Sequence, residues 1–260
     1  MLHRTPLRRR RTPAGPAALA GLLVCVAAAA LFWLAGPPAA GAATAAPVAW
    51  KALLIAGDDS EPVFANGVDE MRRRLMSFGV KAPDITVLKA GVRSPAVRAT
   101  SDNIDRSFDR LDAPGGTGCF VFITSHGQPH GGLIMSDEEA YLPPDYLARR
   151  LDETCGTRPT VVIASGCYSG QFTADRRLAT PHRIVLAAAR ADRPSFGCGV
   201  DFRYTFYDAC LLGALRQGSP WQAIARSVDA CVTRRERQEG FEASRPQAVF
   251  GRSVGSLTAF

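Results

Sequence analysis

Two short segments of this chain carry side chains suited to covalent chemistry. Thr124-Ser125-His126-Gly127 sets an imidazole beside a glycine, and Ser165-Gly166-Cys167-Tyr168-Ser169-Gly170 sets a thiol among small residues. A thiol within reach of an imidazole can open an amide or ester through a thioester, with the imidazole moving the proton. The glycines fit that chemistry. Gly127 and Gly166 leave room for a substrate backbone and let peptide N–H groups face a developing oxyanion. Taken singly, each residue has a plainer reading: Cys167 as a small core hydrophobe and His126 as a turn residue. Only their meeting in space makes a site, so the elements that carry them decide the matter.

Short apolar runs recur along the chain: Lys51–Gly57 (KALLIAG), Asp84–Lys89 (DITVLK), Cys119–Thr124 (CFVFIT), Thr160–Ala164 (TVVIA) and Arg183–Ala189 (RIVLAAA). A last strand is expected near Gln247–Ser253. Helical patterns lie between them. Asn66 to Phe78 places Val68, Met71, Leu75 and Phe78 on one face and stops at Gly79. Ser101 is a candidate cap for a helix carrying Ile104, Phe108 and Leu111. Further helices are predicted over Pro144–Glu153, Thr205–Arg216 and Trp221–Arg237, the last behind Ser219 as cap. Strands that are apolar throughout and alternate with helices predict an α/β fold. Its mainly parallel sheet would have about six strands, covered by helices on both faces as a three-layer sandwich. In such sheets ligands bind beyond the carboxyl ends of the strands. His126 closes the third strand and Cys167 the fourth, and consecutive strands are often neighbours. Both would then stand on the same edge, within a side chain or two of each other.

Charge and cysteine usage narrow the setting. The 260 residues carry 31 Lys and Arg, 24 Asp and Glu, and a formal charge of +7. Five arginines (4, 8, 9, 10 and 11) precede Pro16, and residues 1–45 contain no Asp, Glu or Lys, so 26 basic residues face 24 acidic ones in the rest. That balance gives nucleic-acid binding no electrostatic support. An arginine-rich start, an apolar run from Ala17 to Gly36 and the small residues Ala39-Ala40-Gly41-Ala42-Ala43 describe an export signal. Twenty apolar residues can also span a bilayer, so cleavage and retention as a signal anchor both fit the length. Residues 1–46 are therefore expected to form the signal or anchor with an Ala/Pro-rich joint, and 47–260 the functional domain. That domain would be periplasmic or extracellular, touching a membrane only through residues 17–36 if they are retained. Cysteines stand at 25, 119, 155, 167, 198, 210 and 231. Their spacing matches no metal site, and an exported compartment permits disulfides, whose pairing stays open at this point.

The two motifs resemble the legumain family of cysteine peptidases (family C13), which share the caspase-like fold. Ser125-His126-Gly127 after one strand and Ser165-Gly166-Cys167-Tyr168-Ser169-Gly170 after the next carry the likeness. Phe196-Gly197-Cys198 and Ser244-Arg245-Pro246-Gln247 resemble the bacterial branch of that family, and the likeness runs from Lys51 to the C-terminus. The resemblance implies a cysteine endopeptidase acting on protein or peptide substrates without a cofactor. His126 would polarise the scissile peptide and protonate the leaving amine, Cys167 would be the nucleophile, and the N–H groups of Gly127 and Cys167 would hold the oxyanion. An Asn and an Arg of the family fall on Val63 and Ala65, and a pocket carboxylate falls on Ser165. The asparaginyl preference at the residue before the scissile bond (P1) is therefore not implied. Ser165, Asp208 and Tyr168 are the candidate substrate-binding residues, Asp208 after a gap.

Other features have quieter readings. His130 lies four residues past His126, but a zinc site would need further ligands and only His182 remains in the exported part. Asp58 and Asp59 end the first strand and read as solvated loop carboxylates, while Asn66 is a candidate to orient the imidazole. Three alternatives to the endopeptidase remain in view: a transamidase using the same Cys/His pair, a non-catalytic caspase-like binding or scaffold module, and a thiol redox protein. The last lacks a C-x-x-C pair.

Overall fold

Alternating apolar side chains build the centre of the fold in the computed structural model, which describes residues 49–94, 97–199 and 201–260. The segment read as an export signal lies outside the described residues. Five strands run parallel: β1 (Ala49–Ala56), β2 (Ile85–Lys89), β3 (Thr117–Thr124), β7 (Thr160–Ser165) and β8 (Arg183–Ala187). A sixth, β9 (Gln247–Phe250), pairs antiparallel with β8, and the sheet order is β2-β1-β3-β7-β8-β9. Every residue of β7 and β8 is buried, as the continuous apolar runs require when both faces of a sheet are covered.

Successive side chains divide between two cores. Leu54, Ala56, Phe120 and Phe122 face one side with α1 (Pro62–Ser77), α5 (Phe206–Ala214) and α6 (Trp221–Glu239). Leu53, Ile55, Val121 and Ile123 face the other with α2 (Ser101–Asp109), α3 (Pro144–Thr154) and the short α4 (Gly170–Ala174). The expected three-layer α/β sandwich with a mainly parallel sheet of six strands is what forms.

Differences from the sequence reading are local. α1 begins at Pro62, four residues before the apolar periodicity is legible, because a proline suits the first turn, where an N–H would find no partner. It ends at Phe78, followed by Gly79 at φ +93°. Ser101 lies inside α2. The cap is Thr100, whose hydroxyl accepts from the Asn103 N–H. Pro220, not Ser219, precedes α6 and supplies no side-chain cap. Between β3 and α3 the chain also folds a small antiparallel sheet, β4 (Gly127–Gln128), β5 (Gly132–Met135) and β6 (Ala140–Leu142), which buries Leu133, Met135 and Leu142 in the second core. Two disulfides form among the described residues, Cys119–Cys155 and Cys210–Cys231, leaving Cys167 and Cys198 as free thiols. Among the described residues no helix is long and apolar enough to cross a membrane.

Candidate active site

Register brings the two motifs together. Thr124 at the end of β3 pairs with Ser165 at the end of β7, and the Ser125 N–H donates to the Ser165 carbonyl at 3.0 Å. His126 and Cys167 each stand two residues beyond this pair, so they emerge from the same sheet edge at the same height. The loops then pack backbone to backbone. A Cβ on Gly127 would overlap the Cys167 carbonyl oxygen, and one on Gly166 would fall 2.5 Å from the Ser125 carbonyl oxygen. Both positions demand glycine, here for the close approach of the two loops to each other rather than for the substrate backbone that their sequence context suggests.

Each of the two side chains is seated by a contact that sequence spacing does not show. The imidazole of His126 meets the ring of Phe64 from α1 edge to face, with centroids 5.0 Å apart. The small sheet holds its backbone, since the Ile134 N–H donates to the His126 carbonyl at 2.9 Å and Ser125 Oγ donates to the Ile134 carbonyl at 2.7 Å. The Cys167 Sγ rests on Ser195, accepting from its N–H at 3.2 Å and donating to its carbonyl at 3.4 Å. Burial pushes the Cys167 thiol above its ordinary pKa, against the opposing pull of the Ser195 N–H. Cys167 is thus a free, half-buried thiol.

A chain of backbone bonds fixes the loop that cradles this sulfur. The Tyr168 N–H donates to the Arg193 carbonyl at 2.8 Å, Arg193 N–H to the Arg190 carbonyl at 3.0 Å, and Arg190 N–H to the Ser244 carbonyl at 2.9 Å. The Ser244 N–H is in turn held by Oε1 of Glu236, a buried carboxylate of α6. The segment Ser244-Arg245-Pro246-Gln247, singled out by resemblance, thus reaches the thiol through this ladder. Tyr168 itself has φ +57°, a left-handed conformation costly for a bulky residue, directly after Cys167.

The remaining candidates fall into four groups. Ser165, the end of β7, and Asp208, beneath the paired strand ends, are both fully buried. Asp208 Oδ2 accepts from Thr124 Oγ1 at 2.7 Å, and its N–H donates to the α5 cap Thr205 at 3.0 Å. Burial raises its carboxyl pKa to about 6, against the hydroxyls of Ser165, Thr124 and Thr205. Asn66 donates to the Arg203 carbonyl at 3.1 Å rather than orienting the imidazole, the place Phe64 takes. Asp58 and Asp59 are structural: Asp58 is buried and accepts from the Ser60 N–H at 2.8 Å, and Asp59 accepts from Ser136 Oγ of the small sheet region at 2.8 Å. His130 is exposed at φ +61° in the β4–β5 turn. Among the described residues no group of three or more His, Cys, Asp or Glu is placed to hold a metal ion.

Phe64, Ser195 and Glu236 were not legible as site residues, because each reaches the site by tertiary contact from an element whose own pattern is that of an ordinary core helix or loop.

A family model, the peptidase C13 family, matches residues 116–249, from the threshold of β3 into β9. Among solved structures, the chain is similar to the crystal structure of caspase-1 from Spodoptera frugiperda. The likeness covers 83% of this chain and 92% of that one at 14% identity, with a TM-score of 0.57. At that identity the likeness is one of fold. No curated protein matches the chain.

Proposed function

This chain belongs to the peptidase C13 family, and from that premise we propose that it is a cysteine endopeptidase with Cys167 as nucleophile and His126 as acid and base. The observation that supports the reading is the Thr124–Ser165 pairing, with His126 and Cys167 each two residues beyond it on the same sheet edge. Protein or peptide substrates follow from the family.

Attack proceeds from the thiol. As Sγ bonds to the scissile carbonyl carbon, its proton passes to the His126 imidazole and the carbonyl oxygen takes up the charge. The N–H groups of Gly127 and Cys167 receive that oxyanion, an effect worth about 3–4 kcal/mol for one well-placed donor. Collapse breaks the C–N bond, His126 returns the proton to the leaving amine, and a thioester remains. Water then cleaves the thioester, restoring the thiol and releasing a carboxylate. Export is part of the same reading: two disulfides among the described residues support an oxidising compartment.

Turnover of fluorogenic peptides varied at P1, by the wild-type protein and by Cys167→Ala and His126→Ala, tests the proposal. Cleavage lost in both variants is expected. Cleavage that survives Cys167→Ala would overturn it.

A further inference from the structure

Three arginines converge on one open cavity that the catalytic reading does not use. Along α1, Asn66, Asp69 and Arg73 recur at three- and four-residue spacing on the face turned away from buried Val68, Met71 and Leu75, with Arg72 at its border. Arg203 and Tyr204, in the loop ahead of α5, form the facing wall. These six residues line a cavity of about 370 Å³, the size of a small-molecule site. Neither His126 nor Cys167 lines it.

Charge in this cavity is unbalanced. Asp69 is answered by Lys89 at 2.6 Å, and Glu70, the next residue, pairs with both Arg73 and Arg74. Among the described residues neither Arg72 nor Arg203 joins an ion pair. Arg72, Arg73, Arg74, Lys89 and Arg203 thus stand in and around the cavity against the two carboxylates of Asp69 and Glu70. Arg203 is held in place from both ends. Asn66 Nδ2 donates to its carbonyl at 3.1 Å, and its guanidinium lies 5.3 Å over the Tyr204 ring. Tyr204 is tied back to α1 in turn, its hydroxyl donating to Glu70 Oε2 at 3.5 Å. Stacking occupies the flat face of a guanidinium and leaves its N–H edge for an acceptor.

We propose that this cavity binds a phosphate monoester group, gripped by Arg72 from α1 and Arg203 from the facing loop. Such a group carries a charge of about −1.5 to −2 at neutral pH and three terminal oxygens, which match two unpaired guanidiniums both in charge and in bidentate geometry. A single carboxylate would answer only one of them, and a neutral ligand would leave their mutual repulsion in place. The group can arrive on a small soluble molecule or as a lipid headgroup, and the chemistry recognised is the same. The site stands independently of the peptidase reading.

Calorimetric titration with glycerol 1-phosphate at constant ionic strength reads the soluble form. Cosedimentation with phosphatidylcholine vesicles carrying phosphatidic acid, relative to phosphatidylcholine alone, reads the lipid form. Saturable binding of at least one probe is expected, weakened about tenfold or more by Arg72→Ala and by Arg203→Ala, the scale of a hydrogen bond to a charged group. Arg176→Ala removes the same charge from an exposed position outside the cavity and should leave the affinity unchanged. Arg203 is exposed and outside both cores, so Arg203→Ala decides the matter if Arg72→Ala does not fold. No saturable binding of either probe, or an equal loss in all three variants, would overturn the inference and leave the peptidase reading untouched.

Discussion

At the scale of single residues, the site is governed by what burial does to two acids. Cys167 is held by the backbone of Ser195 in half-buried surroundings that raise its pKa, so only a small fraction is thiolate at neutral pH. The rate of alkylation by iodoacetamide should accordingly climb with pH and reach its midpoint above the ordinary cysteine value of about 8.5. A midpoint below neutrality would instead mean a thiolate–imidazolium pair with His126. Asp208 is raised to about 6 from an ordinary 3.8. The native state then binds more protons than the unfolded chain between those two values, and this contribution to stability falls as pH rises through that window. Asp208→Asn lacks the penalty. Relative to the wild type it should gain stability on going from pH 4 to pH 7, by roughly 3 kcal/mol at most. Urea melts at the two pH values read this directly, and a difference that does not change with pH would contradict the buried, uncompensated carboxylate.

At the scale of elements, legibility followed the length of the signal. His126 and Cys167 could be read because each ends a strand whose apolar run is long and bounded, and the Thr124–Ser165 register did the rest. The small sheet could not be read. Its strands have two, four and three residues, too few for an alternation to stand out, and Gly131, Gly132 and Pro143 give the segment the look of a loop. Yet that sheet supplies the Ile134 N–H that fixes His126, and without it the imidazole would hang on a free turn. Ser195 escaped notice for a different reason: its contribution is a peptide group, which any residue carries. The glycines themselves stood out in the sequence, but their packing role at the loop junction shows only in the structure, and it can be tested. A Cβ on Gly127 meets the backbone of Cys167, which has no flexible end to move aside. Gly127→Ala should therefore cost about 1–3 kcal/mol of stability. It should also lower kcat more than a surface variant of equal stability, because the shift falls on the N–H groups proposed to hold the oxyanion. Stability loss with unchanged kcat would show that the junction is only packing.

At the scale of the whole molecule, the four paired cysteines divide the structural work from the chemical. Cys119–Cys155 joins the start of β3 to the end of α3, closing 36 residues of chain, and Cys210–Cys231 joins α5 to α6 across 21. Cys119 lies near the start of β3, at the opposite end of the strand from His126. Cys167 and Cys198 remain thiols. The α5–α6 bridge bears on the site through packing, since α5 presents Asp208 and α6 presents Glu236, which anchors the loop behind Cys167. Loop-closure entropy gives a bridge of this span about 3 kcal/mol. Cys210→Ala with Cys231→Ala should accordingly unfold at lower urea concentration by that amount, and reductant should lower the wild-type midpoint but not further lower that of a variant lacking both bridges. Cys198→Ala removes a side chain that closes no loop and should move the midpoint by less than about 1 kcal/mol. If reductant left the wild-type midpoint unmoved, the bridges would not be holding the fold, and the oxidising compartment inferred from them would lose its support.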